Sequence, residues 1–268
     1  MIISTAFFLH GAVYALIGAF AGLMAGILGI GGGVVVVPGL LFVFQYNHLI
    51  PDAISMHVAA GTSLAVMMFT SQSSLSAHLK LGEVLWTVYY KLVLGLLLGT
   101  VAGACVAHFI STQGLKILFA VFLLLVALKM LTDVHVTHPE RPLAPWVHRL
   151  VGFLVGFKSG LLGIGGGVLV IPYLSYCGVA ARKIAAVSNL CTFTVAVVGS
   201  VVFMITGRQD MIAVPYATGY IYWPAVLAVA LPSCLMAPLG AKLNYMVPVK
   251  QLKYGFIVML LITAMNML

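Results

Sequence analysis

The sequence predicts an all-α protein that crosses a membrane several times and consists of two homologous repeats. Three observations support this prediction. Of its residues, 63% are hydrophobic and only 7% are charged, whereas a soluble domain carries charges on about a quarter of its residues. Apolar stretches of about 20 residues recur along the chain, as a bilayer about 30 Å thick requires. A glycine-rich segment also occurs twice, once in each half.

The glycine-rich segment identifies the repeats. Residues 18–40 are GAFAGLMAGILGIGGGVVVVPGL and residues 152–174 are GFLVGFKSGLLGIGGGVLVIPYL, with 13 of 23 positions identical at an offset of 134. Seven glycines and a proline recur in register, which chance similarity between apolar segments does not explain. A weaker match aligns residues 59–64 with residues 185–190, so that Thr62 corresponds to Ser188. The two halves are therefore expected to share one architecture.

Each repeat is expected to contain a helix, a glycine break, a short apolar helix and three further spans. In the first repeat these helices are expected at about 6–28, 33–45, 57–78, 86–108 and 113–131. In the second repeat they are expected at about 146–162, 167–178, 184–206, 221–243 and 250–268. The resulting division is a first membrane repeat (1–131), a linker (132–145) and a second membrane repeat (146–268), together one membrane domain.

The orientation of the repeats depends on the short helix, because 13 helical residues reach only about 20 Å. If it forms a hairpin that returns to its starting side, the repeats are inverted and both termini lie outside. If it continues to the far side, the repeats are parallel. Basic residues concentrate on the cytoplasmic side, and the inverted arrangement separates them ten to two, whereas the parallel one separates them six to six. We therefore expect inverted repeats, with ten basic residues on the cytoplasmic face: Lys80, Lys91, Lys129, Arg141, Arg149, Arg182, Lys183, Lys242, Lys250 and Lys253. Lys116 and Arg208 would lie on the other face.

The triple glycines are the main candidates for a binding site. Each glycine costs about 1 kcal/mol in a helix interior, so we expect the helix to break at both triplets. Broken backbone is tolerated at membrane depth only where protein buries it or where it lines a watery cavity. The helices that follow would then direct N–H groups and positive dipole ends toward an anion. The candidate backbone ligands are Gly31, Gly32, Gly33, Gly165, Gly166 and Gly167.

Polar side chains close to these breaks are further candidates. Thr62 and Ser63 begin one span and Ser188 and Asn189 begin the corresponding span, although Ser and Thr also commonly bond to the backbone of their own helix. Lys158 lies within an apolar stretch, where a charge is a functional candidate. It would supply a counter-charge for an anion, or it would extend toward the membrane interface. In contrast, glycines spaced by four, such as Gly18, Gly22 and Gly26, are typical of close helix packing.

Several functional classes are disfavoured by the sequence. The basic residues are scattered at the ends of apolar runs, as in membrane proteins and unlike nucleic-acid-binding proteins. All five acidic residues fall in loops or at span ends, which argues against a buried carboxylate proton relay. The four cysteines form no CxxC pair and the histidines are scattered, so neither a cofactor nor a metal site is predicted. No paired acid and base is expected in the spans, which argues against an intramembrane enzyme.

The duplicated G-x-x-x-G-x-x-x-G-x-x-G-x-G-G-G-x-x-x-x-P pattern, together with AAGTSL at 59–64, resembles the sulfite exporter TauE/SafE family. The resemblance covers nearly the whole chain and implies a multi-pass permease of the bacterial inner membrane. The substrates it implies are sulfite, sulfonates and related organosulfur anions. It points to the glycine triplets, Thr62 and Ser63 as site residues. The second repeat departs from the pattern, with Val-Ser-Asn at 187–189 where the first repeat has Gly-Thr-Ser.

The leading hypothesis is therefore a secondary transporter that exports a small anion. The alternative is a channel-like or partner-binding membrane subunit that carries out no transport of its own. The lipid bilayer and the anionic substrate are the expected partners. The sequence specifies neither the oligomeric state, nor the anion, nor the coupling ion.

Overall fold

The computed structural model describes residues 2–46, 50–81, 85–132, 144–179, 181–212, 214–244 and 249–267, which form an almost entirely helical fold. The helices of the first half are α1 (Ile2–Leu28), α2 (Gly33–Tyr46), α3 (Ser55–Leu81), α4 (Trp86–Phe109) and α5 (Thr112–Thr132). A short 3-10 helix, Asp52–Ile54, precedes α3. These bounds agree with the helices expected from the sequence to within a few residues.

The second half repeats the same order of helices. Its helices are α6 (Pro145–Leu162), α7 (Gly167–Tyr176), α8 (Ala181–Thr206), α9 (Trp223–Asn244) and α10 (Val249–Met267). Between α8 and α9 the chain forms a small antiparallel hairpin of β1 (Ala217–Thr218) and β2 (Ile221–Tyr222). The expected linker at 132–145 lies mostly outside the described residues.

Five of the described helical segments are long and apolar enough to cross a membrane. They are Asp52–Leu79, Trp86–Phe109, Thr112–Lys129, Lys183–Thr206 and Trp223–Leu243. In the first segment, 78% of the 18 residues of its apolar stretch are buried within the protein, whereas in the third only 28% are buried. Helix α3 is therefore central and α5 peripheral, and the predicted all-α polytopic membrane fold is confirmed.

Glycines spaced by four bring two pairs of helices into backbone contact. A methyl group at Gly18, Gly22 or Gly26 of α1 would lie 2.1 to 2.2 Å from a backbone oxygen of α9. At the equivalent glycines of α6, 134 residues later, it would lie 2.3 to 2.4 Å from a backbone oxygen of α4. No side chain fits at such distances, so these glycines serve helix packing, as their spacing predicts.

The contacts of the two halves are equivalent. Helix α1 packs on α9 as α6 packs on α4, and α3 packs on both α8 and α9 as α8 packs on both α3 and α4. Helices α5 and α10 pack on each other. The core of the protein therefore lies along the α3–α8 contact, where the two halves meet.

Candidate functional site

The first glycine break separates α1 from α2 at residues 29–32. Gly29, Gly31 and Gly32 have φ angles of 68°, 85° and 81°. Side chains other than glycine rarely adopt this left-handed region, so the backbone requires glycine at all three positions. Helix α2 then begins at Gly33. The prediction that the helix breaks at the first triplet is confirmed.

The second break separates α6 from α7 at residues 163–166 and differs in detail. Gly163 caps α6 in the left-handed conformation, with φ 69°, and its N–H bonds to the carbonyl of Ser159. Gly166 has an ordinary φ of −60°. Only the first glycine of this break therefore needs the conformational freedom of glycine. At the glycines on either side of Gly166, a side chain would collide with neighbouring atoms.

The two breaks lie directly against each other. A methyl group at Gly33 would lie 2.9 Å from the carbonyl oxygen of Gly163. At the equivalent Gly167 it would lie 2.4 Å from the carbonyl oxygen of Gly29. At Gly165 it would lie 2.5 Å from the carbonyl oxygen of Ile30. The unwound backbones of the two halves therefore meet in the interior, and glycine permits the close approach.

Two serines fix this junction. Ser188 Oγ donates a hydrogen bond of 2.7 Å to the carbonyl of Gly29, and Ser63 Oγ donates one of 3.0 Å to the carbonyl of Gly163. Both serines are fully buried. Each carbonyl lies at a helix end, where intrahelical partners are lacking. The serine of each half therefore supplies a hydrogen-bond donor to the free carbonyl at the broken helix of the other half.

These contacts correct the alignment of the repeats by one residue. The sequence match places Ser188 opposite Thr62, whereas the structure gives Ser188 the role of Ser63. Ala60 also contacts Gly163 as Ala185 contacts Gly29. The equivalent positions in α3 and α8 are therefore 125 residues apart, as 188 − 63 shows.

Thr62 and Asn189 lie beside the serines but bond elsewhere. Thr62 Oγ1 accepts a hydrogen bond of 3.1 Å from the N–H of Tyr222, which anchors the start of α9. Asn189 Nδ2 donates to the carbonyl of Ala185 at 3.0 Å. Asn189 Oδ1 is buried and has no hydrogen-bond partner within the described part of the chain. Asn189 therefore keeps an unbonded acceptor, whereas the Thr62 hydroxyl only accepts in its bond to Tyr222 and can still donate.

Lys158 lies next to the second break. Its ammonium group is 3.5 Å from the carbonyl oxygen of Gly165 and 4.6 Å from the centre of the Phe122 ring. The side chain is half-buried, and its bond to the break shows that it turns inward. Its role, a counter-charge or an extension toward the membrane interface, stays a prediction.

Comparison with known proteins agrees with this architecture. The family model described as sulfite exporter TauE/SafE matches residues 14–267 of the chain. The chain belongs to the sulfite exporter TauE/SafE family. It is therefore a multi-pass membrane transport protein, and membership of this family favours a transporter over an intramembrane enzyme.

Several TauE/SafE relatives are similar over most of their length. A probable membrane transporter protein of Haemophilus influenzae is 32% identical over 254 residues, which cover 94% of this chain and 96% of the relative. One of Methanocaldococcus jannaschii is 31% identical, covering 89% of this chain and 88% of the relative. The probable membrane transporter protein YunE of Bacillus subtilis is 28% identical, covering 87% and 88%. No solved structure matches this TauE/SafE chain.

Sequence reasoning missed Thr192, which also contacts the junction. Thr192 Oγ1 accepts a hydrogen bond of 3.3 Å from the N–H of Gly167. A methyl group at Gly31 would lie 2.3 Å from Thr192 Cγ2 and 3.3 Å from Met67 Sδ. Met67 is the equivalent of Thr192 at the offset of 125. The sequence repeat therefore gave no signal for Thr192, because the polar residue occurs in only one half.

Two open cavities lie away from the junction. One, of about 420 Å³, is lined by residues at the start of α4 and α6. The other, also about 420 Å³, is lined by the end of α8 and the hairpin region, including Arg208. Neither is lined by a residue of the glycine breaks, all of which are buried. In this conformation the junction is enclosed by protein.

Proposed function

We propose that this TauE/SafE protein is a secondary carrier that exports a small anion such as sulfite or a sulfonate. The observation that carries the proposal is the direct contact of two unwound backbones, one from each half. Each break is followed by the N-terminus of a helix. The Gly167 N–H at the start of α7 is bonded to Thr192, and the remaining first N–H groups have no carbonyl four residues earlier to bond. Two such ends beside one junction favour a negative solute.

The charges near the junction support an anionic solute. Lys158 is a cation adjacent to Gly165. The acidic residues within the described ranges are Asp52 and Asp210, which lie at helix ends or in loops. A tetrahedral or pyramidal oxyanion could accept hydrogen bonds from backbone N–H groups and from the lysine together. An inside-negative potential would drive it outward, by about 2.3 kcal/mol per charge per 100 mV.

We further propose that the repeats are inverted, because the order of contacts gives the helix directions. Successive glycines of α1 meet Val229, Ser233 and Ala237 in ascending order, so α1 and α9 are parallel. Thr62 contacts Tyr222 and Thr70 contacts Ser233, so α3 is parallel to α9 as well.

The corresponding helices of the second half run in the opposite direction. Gly152 contacts Leu92 and Gly160 contacts Thr100, so α6 is parallel to α4. Helix α8 is antiparallel to α3, because Gly61 contacts Phe203 while Leu64 contacts Gly199. It is parallel to α4, because Tyr89 contacts Thr194 while Thr100 contacts Gly199. Thus α1 and α3 run opposite to α6 and α8, as inverted repeats require.

This arrangement supports an inner-membrane orientation with the basic face in the cytoplasm. Lys91, Arg149 and Lys183 lie near the starts of the parallel helices α4, α6 and α8. Arg208 follows the end of α8, at the opposite end of the protein. The helix directions therefore place these basic residues at one end of the protein, as the sequence predicts. Because basic residues concentrate on the cytoplasmic side, this end is proposed to face the cytoplasm.

Transport by the purified protein in liposomes tests the proposal. The expected result is saturable efflux of labelled sulfite or a small sulfonate, accelerated by a potential that is negative on the side of origin. Gly167→Ala should abolish flux, because its methyl group would lie 2.4 Å from the carbonyl oxygen of Gly29. Gly255→Ala is the control, because a methyl group there would meet no described atom within 4 Å apart from its chain neighbours and its own helix backbone. Flux that rises linearly with concentration would indicate a channel, and no flux of any small anion would refute the proposal.

A further inference from the structure

The starts of α4 and α6 form a cavity separate from the proposed transport site. It has a volume of about 420 Å³, and its lining residues are Trp86, Thr87, Tyr90, Lys91, Pro145 and Arg149. The two helices are parallel, so their N-terminal ends lie side by side. One cation comes from each repeat, Lys91 from α4 and Arg149 from α6.

The charge of this cavity is uncompensated within the described ranges. Lys91 and Arg149 are both exposed, and no carboxylate is among the described residues that line the cavity. Asp210 bonds Tyr220, which contacts His108 near the C-terminal end of α4. A helix of 24 residues is about 36 Å long, so this acid lies far from the cavity.

The aromatic side chains around the cavity are typical of the membrane surface. Trp86 and Tyr90 line it with their ring centres 6.1 Å apart, and both are more than half exposed. Trp146, at the start of α6, is 65% exposed. Tryptophan and tyrosine concentrate at the level of lipid headgroups, where one part of the ring system is wet and the other apolar.

An exposed apolar surface continues from the cavity toward the membrane centre. On α4 it comprises Leu94 and Leu98, which follow Tyr90 at intervals of four residues. On α6 it comprises Leu150 and Leu154, which follow Trp146 at the same interval. The α4 stripe begins at Tyr90, which lines the cavity, and the α6 stripe begins beside Pro145, which also lines it. The two helices are neighbours, so two acyl chains could extend along the stripes.

We propose that this cavity binds the phosphate headgroup of an anionic phospholipid. The phosphodiester accepts hydrogen bonds from Lys91 and Arg149, and the acyl chains cover the two leucine stripes. A zwitterionic lipid fits less well, because its cationic amine would share the cavity with two further cations. Basic pockets between membrane helices on the cytoplasmic side are typical sites for such headgroups. Free phosphate would use the same two cations, and the experiment below separates the two ligands.

Native mass spectrometry of the full chain in detergent, with phosphatidylglycerol and phosphatidylcholine as probes, tests this site. The protein should retain phosphatidylglycerol in preference to phosphatidylcholine. Each of Lys91→Gln and Arg149→Gln should weaken retention about fivefold. The pair of charge-retaining variants, Lys91→Arg and Arg149→Lys, should keep the preference.

Arg208→Gln is the matched control, because Arg208 is an exposed cation that lines the other 420 Å³ cavity. It should leave phosphatidylglycerol retention unchanged. The proposal is overturned if Arg208→Gln weakens retention as much as Arg149→Gln does, or if no variant changes it. Displacement of phosphatidylglycerol by excess inorganic phosphate would also overturn it, since the site would then bind free phosphate. Anion flux in liposomes is measured separately, so failure here leaves the transport proposal standing.

Discussion

Ser63 and Ser188 each donate a hydrogen bond to the glycine that follows the broken helix of the opposite half. The bonds, to the carbonyls of Gly163 and Gly29, measure 3.0 and 2.7 Å. The two interactions are equivalent under exchange of the halves, and both are buried. They link the central helices α3 and α8 to the breaks, so any rearrangement that opens the junction must break or move them.

We therefore expect Ser63→Ala and Ser188→Ala to have similar effects. Each leaves a buried carbonyl without its donor, which costs about 1 to 2 kcal/mol. The midpoint of thermal unfolding in detergent should fall by about 2 to 5 °C for either variant. Ser76→Ala is the control, because Ser76 is exposed and its hydroxyl bonds only within its own helix, to Gln72. A large loss for one serine and none for the other would contradict the equivalence.

The α4–α6 contact should tolerate no side chain at its glycines. A methyl group at Gly156 would lie 2.3 Å from the carbonyl oxygen of Leu96, so Gly156→Ala must separate the two backbones. We expect a loss of about 1 to 3 kcal/mol or more, measured as thermal stability in detergent. Gly255→Ala, at an open position of α10, should keep the stability or raise it by up to about 1 kcal/mol, because alanine is the better helix former. Equal stability of the two variants would show that the contact can relax.

The sequence predicts the helices and breaks well because their causes are local. Apolar runs of fixed length and a triple glycine determine where a membrane helix begins and ends. The glycine at position 29 could also have been identified, because glycine commonly ends a helix in the left-handed conformation. The packing of one glycine break against the other does not have a local cause. It depends on contacts between residues 100 or more positions apart, such as Ser63 with Gly163.

The polar residues around the junction were predicted less completely for the same reason. Thr62 and Ser63 are adjacent, so the sequence does not show which of them faces the break. Thr192 contacts the junction, yet its equivalent is Met67, and a search for duplicated polar residues passes over it. Glycine also permits a left-handed conformation without requiring it, which is why the ordinary φ of Gly166 could not be foreseen.

Lys158 should matter for transport more than for stability. Its side chain is half-buried, and its ammonium group bonds the carbonyl of Gly165, with no carboxylate among its described contacts. Lys158→Met removes the charge and keeps an apolar chain of similar length. We expect the variant to fold with equal or higher thermal stability, while anion flux in liposomes falls at least about tenfold.

The conservative Lys158→Arg variant separates charge from shape at this position. It keeps a cation beside the junction and should retain part of the flux that Lys158→Met loses. If both variants transport normally, Lys158 is not a counter-charge for the solute. If both variants unfold, its bond to Gly165 and its contact with Phe122 are structural.

Tyr220 should hold the polar loop between α8 and α9 against the rest of the protein. Its hydroxyl donates to Asp210 and lies 3.0 Å from Nδ1 of His108, while its ring is almost fully buried. Tyr220→Phe removes a bond to a charged group worth about 1.5 to 3 kcal/mol. Amides of residues 207–222 should therefore exchange with solvent roughly ten- to a hundredfold faster.

Hydrogen exchange resolved by mass spectrometry measures this local effect. Tyr216→Phe is the matched control, because Tyr216 lies in the same loop and is 79% exposed. Its exchange should equal that of the unmodified protein. Faster exchange confined to the loop in Tyr220→Phe would support a latch formed by Tyr220 with Asp210 and His108. Faster exchange that extends through α3 would instead show that the ring of Tyr220 supports the core, because the ring packs on His57 of that helix with centres 5.1 Å apart.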